Sequence, residues 1–215
     1  MKNLFNIENP VFQALARLAD LVILSLLCLV CCVPVFTIGP ALTALHKTVY
    51  DLTLERCSGT MRTFFRAFRQ NFRQGLIAGV IAMLAAASLA CDFFLLRSYT
   101  GNSMYTFFLC LVFLLLFLAV GIAAYLFPLI ARYENSLRQH FQNALLLMIR
   151  YLPKTILMFF LHLSPLLLLI FAPQMFVYTL PFWIFIGPGI LAQADAFLLR
   201  PIFHALEKPA EESEE

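Results

Sequence analysis

Residues 105–131 read YTFFLCLVFLLLFLAVGIAAYLFPLIA, twenty-seven positions without a charged side chain. A helix needs about 20 apolar residues to cross the hydrocarbon core of a bilayer, so this stretch crosses with room to tilt. The rest of the chain has the same character. Of 215 residues, 62% are hydrophobic and 13% charged, and the mean hydropathy is +0.86. A soluble domain could not cover this much apolar surface. The composition implies an all-α, polytopic helical membrane protein with about five transmembrane helices.

Working outward from 105–131 gives the other elements. On the carboxyl side lies a polar insert, in which Leu137, Phe141, Ala144, Leu145 and Met148 share one helical face. It reads as an amphipathic helix over about 134–150. Residues 155–194 then hold no Asp, Glu, Lys or Arg. One straight helix of that length would measure about 60 Å, twice the bilayer core, so it must turn once. Ala172-Pro173-Gln174 is the expected turn, giving spans at 154–172 and 177–199. Residues 201–215 end in EKPAEESEE and are expected to form an acidic, disordered tail after a single domain over 1–200.

On the amino side, 97–104 is a polar turn. Residues 75–96 are a span rich in Gly75, Ala78, Gly79, Ala82 and Ala85, which permits close helix packing. Residues 60–74 interleave Met61, Phe64, Phe65, Phe68 and Phe72 with Arg62, Arg66, Arg69 and Arg73. Each arginine stands one position, or about 100°, from a stripe residue. That is the pattern of a helix in the membrane interface with its rings inward. Residues 41–57 place Leu42, Leu45, Val49 and Leu52 on one face, with His46, Lys47, Asp51, Glu55 and Arg56 on the rest. A first span over 18–36 follows Asn9-Pro10 and is broken by Pro34 and Gly39-Pro40. No small-residue cleavage pattern follows it, so it is expected to remain in the protein.

Positive charge collects in alternate loops. Lys and Arg number six in 39–74, one in 97–104, four in 132–154 and none in 173–176. By the positive-inside rule the amino terminus is expected outside and the carboxyl terminus in the cytoplasm. Residues 60–131 and 132–199 each read as an amphipathic helix followed by two spans, a hint of a parallel repeat. The arginine helix would then face anionic lipid, where each Arg gains about 1 kcal/mol. It also suits a partner-protein interface. Nucleic acid is not an expected partner, because base-stacking needs exposed rings and these have a nearer sink in lipid.

Chemistry is sparse. Cys28, Cys31 and Cys32 lie in an apolar run with no His or carboxylate beside them and read as packing residues. His162 lies inside a span with no ligand one turn away, so no metal is expected. Asp92, Asp195, Gln193 and His162 are the intramembrane polar candidates. A pair with Arg200 or a loop arginine is expected for Asp195, and one with Arg97 for Asp92. Asp20 is expected at the outer start of the first span, reaching water. No nucleophile–base pair, phosphate loop or carboxylate pair is present, so no enzyme activity and no cofactor are expected.

Several stretches carry a resemblance. Asn9-Pro10, Leu18-Ala19-Asp20-Leu21, PVFTIGPALTAL at 34–45, FFRAFRQNFRQ at 64–74, Asp92 and PLIARYENSLRQHFQNALLLMIRYLPKT at 128–155 are similar to the YesL-like family of bacterial membrane proteins (domain of unknown function 624). Ser25 stands where family members often carry Asn, and Asp195-Ala196 where an Asn-Ser pair is usual. The family has no established activity. Its members are typically encoded beside carbohydrate ABC importers and glycan-degrading enzymes. The resemblance therefore implies a location in the bacterial cytoplasmic membrane. It also implies an accessory role, binding the permease subunits of a sugar importer in support of sugar or oligosaccharide uptake. Arg62, Phe65, Arg66, Phe68, Arg69, Phe72 and Arg73 are the expected partner or lipid interface. The alternative is a small solute transporter or channel acting alone, with Asp92, Asp195 and Gln193 along its path.

Overall fold

The computed structural model describes residues 10–57, 59–96 and 103–211, and among them the regular structure is helical throughout. The helices are α1 (Pro10–Cys32), α2 (Ile38–Thr53), α3 (Thr60–Gln70), α4 (Phe72–Leu96), α5 (Ser103–Arg132), α6 (Leu137–Arg150), α7 (Leu152–Phe171), α8 (Pro173–Phe185) and α9 (Gly187–Glu211). A single 3-10 turn at Val35–Thr37 joins α1 to α2. Helices α1, α4, α5 and α7 are long and apolar enough to cross a membrane, and α8 with α9 makes a bent pair of the same kind. The membrane-protein class expected from composition is the one found.

Local chemistry explains the boundaries. Pro153 and Pro173 open α7 and α8, where a missing N–H removes no helical bond. Ser136 and Gln139 cap α6 reciprocally, the Gln139 Oε1 accepting from the Ser136 N–H at 3.0 Å. Asn71 stops α3, donating from its side chain to the Ala67 carbonyl at 3.1 Å.

Contacts revise the expected topology in three places. First, α1 and α2 form an antiparallel hairpin. At its open end Arg17 pairs with Glu55 at 2.9 Å, and Thr60, which starts α3, donates to Asp20 at 2.6 Å. Tyr50 of α2 lies under Arg132 at the end of α5, and Arg132 pairs with Glu207 of α9. The ends of α5 and α9 therefore meet beside Tyr50, whereas Leu21 of α1 lies against Gly189, about 27 Å back along α9. Asp20 is half-buried. It binds the helix that carries the arginines.

Second, α2 is not a surface helix. Ala41, Thr43, Ala44, Leu45, His46, Thr48 and Val49 are all buried, and α2 packs on α1, α3, α4, α5 and α9. Glycine makes this possible. A Cβ on Gly39 would stand 2.0 Å from the Gly75 carbonyl oxygen and 2.8 Å from the Gly79 Cα. The small-residue face foreseen on α4 thus receives the backbone of α2 directly.

Third, the last span is not one helix. It breaks at Ile186, where α8 and α9 meet at 71°. Helix α9 then continues to Glu211, through most of the stretch expected to be a disordered tail. Its outer turns are held by the Arg132–Glu207 pair and by Phe203, buried against Tyr50 and Tyr133. Arg97, the expected partner of Asp92, lies outside the described residues.

A candidate buried carboxylate centre

The break at Ile186 is built from the sequence Ile186-Gly187-Pro188-Gly189. A Cβ at Gly189 would lie 2.7 Å from the Leu21 carbonyl oxygen, so only glycine lets α9 approach α1 this closely. A helix start leaves backbone N–H groups without partners. Ser25 of α1, itself fully buried, supplies one. Its Oγ accepts from the Gly189 N–H at 2.9 Å and donates to Leu21 O at 2.8 Å. Serine at the position where Asn is usual is therefore a bridge between α1 and the start of α9.

Two turns further along α9 lies Asp195. Its side chain is fully buried. The expected pair with Arg200 does not form, and Arg200 is exposed. Instead, the carboxylate Oδ2 lies 3.2 Å from His162 Nε2 of α7 and 4.0 Å from His46 Nε2 of α2. The His162 Nδ1 lies 2.9 Å from the Met158 carbonyl. Neither Asp195 oxygen has a well-aligned hydrogen-bond donor among the described residues. Burial of a carboxylate in this state is costly unless its charge is neutralised by a neighbour or a proton. Gln193, two positions earlier and so on another face of α9, is used differently, donating to Thr53 Oγ1 at the end of α2 at 3.1 Å.

His46 also lines a cavity of about 260 Å³ that lies toward the ends of α5 and α9. Its wall includes Lys47, Tyr50, Asp51, Arg132, Tyr133 and Glu207. Arg132 makes two hydrogen bonds to Glu207, at 2.9 and 2.8 Å, and lies 4.3 Å from the Tyr50 ring centre. Tyr133 donates to Glu207 at 3.1 Å. Burial, then the nearby Glu207 carboxylate, pushes the Tyr133 phenol up to about 12, so it remains a donor at neutral pH. This clamp ties α2, α5 and α9 together at the mouth of the cavity.

The other expected site residues fall apart from this centre. On α3, Phe64 is buried and Phe68 half-buried against α1 and α2, while Phe65 on α3 and Phe72 at the start of α4 are exposed. The rings foreseen as a lipid-facing stripe are thus split between the protein interior and its surface. Arg62, Arg66, Arg69 and Arg73 are all exposed, and none has an ion pair among the described residues. Asp92 is exposed on α4, beside a separate apolar cleft with Tyr105 and Phe108.

His46 is the member of the centre that sequence reading missed. Its place among Lys47, Asp51 and Glu55 suggested a polar face. The surrounding Gly39, Pro40, Ala41, Thr43 and Ala44 carried the missed signal, since so many small residues mark a helix with neighbours on several sides.

Residues 20–93 match the model of a family described as protein of unknown function, DUF624. The match spans most of α1, then α2, α3 and most of α4, and so includes His46 and the arginine row but not His162 or Asp195. No curated protein and no solved structure matches the chain.

Proposed function

We propose that this member of the DUF624 (YesL-like) family is a small membrane protein that moves a solute itself, with Asp195 as its working group. The observation that carries this reading is the placement of a fully buried, poorly satisfied carboxylate at a break in a membrane-length helix pair. Intramembrane ionisable groups are costly and mark solute or proton paths more often than packing. A broken helix is the kind of irregular backbone that membranes tolerate where it lines a protein cavity. The end rich in Lys and Arg would face the cytoplasm of a bacterial cell, with the last helix ending there.

The test is uptake by liposomes that hold this chain alone. Radiolabelled monosaccharides, short oligosaccharides, amino acids and inorganic ions form the panel. Uptake of one class, lost in Asp195→Asn, is expected. An empty panel would remove the reading.

A second reading is favoured by the exposed arginines of α3. The rings of Phe64 and Phe68 fasten that helix to α1 and α2, leaving Arg62, Arg66 and Arg69 exposed on it and Arg73 exposed at the start of α4. In this reading the chain is an accessory or regulatory protein that docks on the permease of a carbohydrate ABC importer, or on anionic lipid beside it. Stoichiometric permease subunits, purified with the chain from its native host in mild detergent, would support it. A clean homo-oligomer would oppose it.

A further inference from the structure

We propose that the Asp195 centre binds a single exchangeable proton, shared between Asp195 and His162 and passed to the cavity by way of His46. The far nitrogen of His162 fixes the tautomer of its ring. Nδ1 lies 2.9 Å from the Met158 carbonyl, which can only accept, so Nδ1 carries a hydrogen. A neutral ring protonated there has a bare lone pair on Nε2. Yet Nε2 lies 3.2 Å from Asp195 Oδ2, and an ionised carboxylate offers lone pairs as well. Two acceptors do not hold that separation inside a protein without a proton between them. Imidazolium with carboxylate, and imidazole with carboxylic acid, both contain that proton and are both neutral overall.

The surroundings suit a neutral pair. A carboxylate built to stay ionised usually accepts two or three hydrogen bonds, whereas Asp195 Oδ1 has none among the described residues. The groups facing the centre from each packed element are few. From α2 comes His46, and from α7 come His162 and, further along, Lys154, whose Nζ donates to Leu198 O at 3.3 Å. Tyr125 of α5 is within electrostatic range, its hydroxyl 3.0 Å from Thr155 Oγ1. From α1 come Ser25 and the thiol of Cys28. Tyr178 of α8 is exposed and turned away. Among the described residues no cation reaches the carboxylate except a protonated histidine. Larger cations need several oxygen ligands. Among the described residues no group of three His, Cys, Asp or Glu is arranged to hold a metal.

The path follows from the same geometry. On release, the proton on His162 Nε2 moves to Asp195 Oδ2, leaving a neutral ring and a neutral acid. The acid passes it to His46 Nε2, which becomes imidazolium, and His46 gives a proton to water in the cavity. The 4.0 Å between Asp195 and His46 exceeds a hydrogen bond, so a bridging water or a small ring rotation closes it. The three groups together go from neutral to one negative charge, and the proton leaves to bulk water. The reverse order loads it again. This use of the proton rests on the transport reading above, while the binding geometry does not.

Infrared difference spectroscopy of the full chain in lipid nanodiscs tests the proposal, by titration across about pH 4 to 9. One deuterium-sensitive carboxyl band should titrate in the unaltered chain and vanish in Asp195→Asn. In His162→Gln its midpoint should move by about one pH unit or more. In His46→Gln the midpoint should stay while deuterium exchange at the carboxyl slows about tenfold, as expected for a lost proton carrier. No titrating carboxyl in the unaltered chain, or an unchanged band in Asp195→Asn, would overturn the proposal. If Asp195→Asn does not fold, nitrogen NMR of histidine-labelled unaltered chain decides. A His162 Nε2 bearing a shared proton supports it, and a bare Nε2 at all pH values overturns it. Solute uptake without a titrating carboxyl would remove the proton and keep the transport reading. A titrating carboxyl without uptake would do the reverse.

Discussion

The α3 arginines and the Asp195 centre are two ways of placing charge in a very apolar chain. On α3, three guanidinium groups, with that of Arg73 just beyond it at the start of α4, stay in contact with the surroundings, and the helix is held by the rings beneath them. Solvated charges of this kind need no partner inside the fold and contribute little to its stability. Asp195 is the opposite case, with no exposed surface and two histidines as its charged or chargeable neighbours. Its neighbours must neutralise it or the fold is penalised. The contrast assigns each region a different sensitivity. Changes at the centre alter stability and proton content together, whereas changes on α3 alter what the protein touches.

The largest effect is expected at His162. Replacing it by Ala leaves Asp195 buried without its nearest partner, a change that costs about 3 kcal/mol or more when such a pair is broken. Reversible unfolding in mixed detergent would read it. A loss within the experimental noise would mean that water reaches the carboxylate, and the contrast with α3 would collapse. Next is Gly39→Ala, which drives a methyl group into the Gly75 backbone and must part α2 from α4. Overpacking of this kind costs about 1–3 kcal/mol. Because α2 carries His46, the same variant should also shift the midpoint of the carboxyl band.

A smaller loss, about 1 kcal/mol, is expected for Ser25→Ala, which removes the acceptor for the Gly189 N–H. Ser25→Asn should recover part of that loss if its side chain reaches the same backbone group. The smallest effect on stability belongs to the arginines. Changing Arg62, Arg66, Arg69 and Arg73 to Gln together should move unfolding by no more than about 0.5 kcal/mol. Binding of the purified protein to vesicles rich in anionic lipid should nevertheless weaken, as flotation assays would show.

How much of this could be read from the sequence differs by region. Hydrophobic run length placed α4, α5 and α7 within a few residues, because the demand of a bilayer for apolar length is local and strong. The arginine row was legible for the same reason, since helical spacing puts its members on neighbouring faces wherever the helix lies. The hairpin was not legible. Residues 18–36 satisfy the length rule for a span, and only the Arg17–Glu55 and Asp20–Thr60 contacts reveal that α2 folds back along it and brings α3 to its start. The centre was half legible. Asp195 and His162 stood out as polar residues in apolar runs, but they are thirty-three positions apart in sequence. Their meeting depends on the bend at Ile186 and on α2 entering the bundle, which no local pattern encodes.

The most direct measurement compares the two regions in one assay. Liposomes holding the unaltered chain, the Asp195→Asn variant or the fourfold Arg→Gln variant would be tested for uptake across the same solute panel. The account predicts uptake by the unaltered chain, its loss in Asp195→Asn, and near-normal rates in the arginine variant. Uptake that survives in Asp195→Asn but fails in the arginine variant, or no uptake by any of the three, would contradict it.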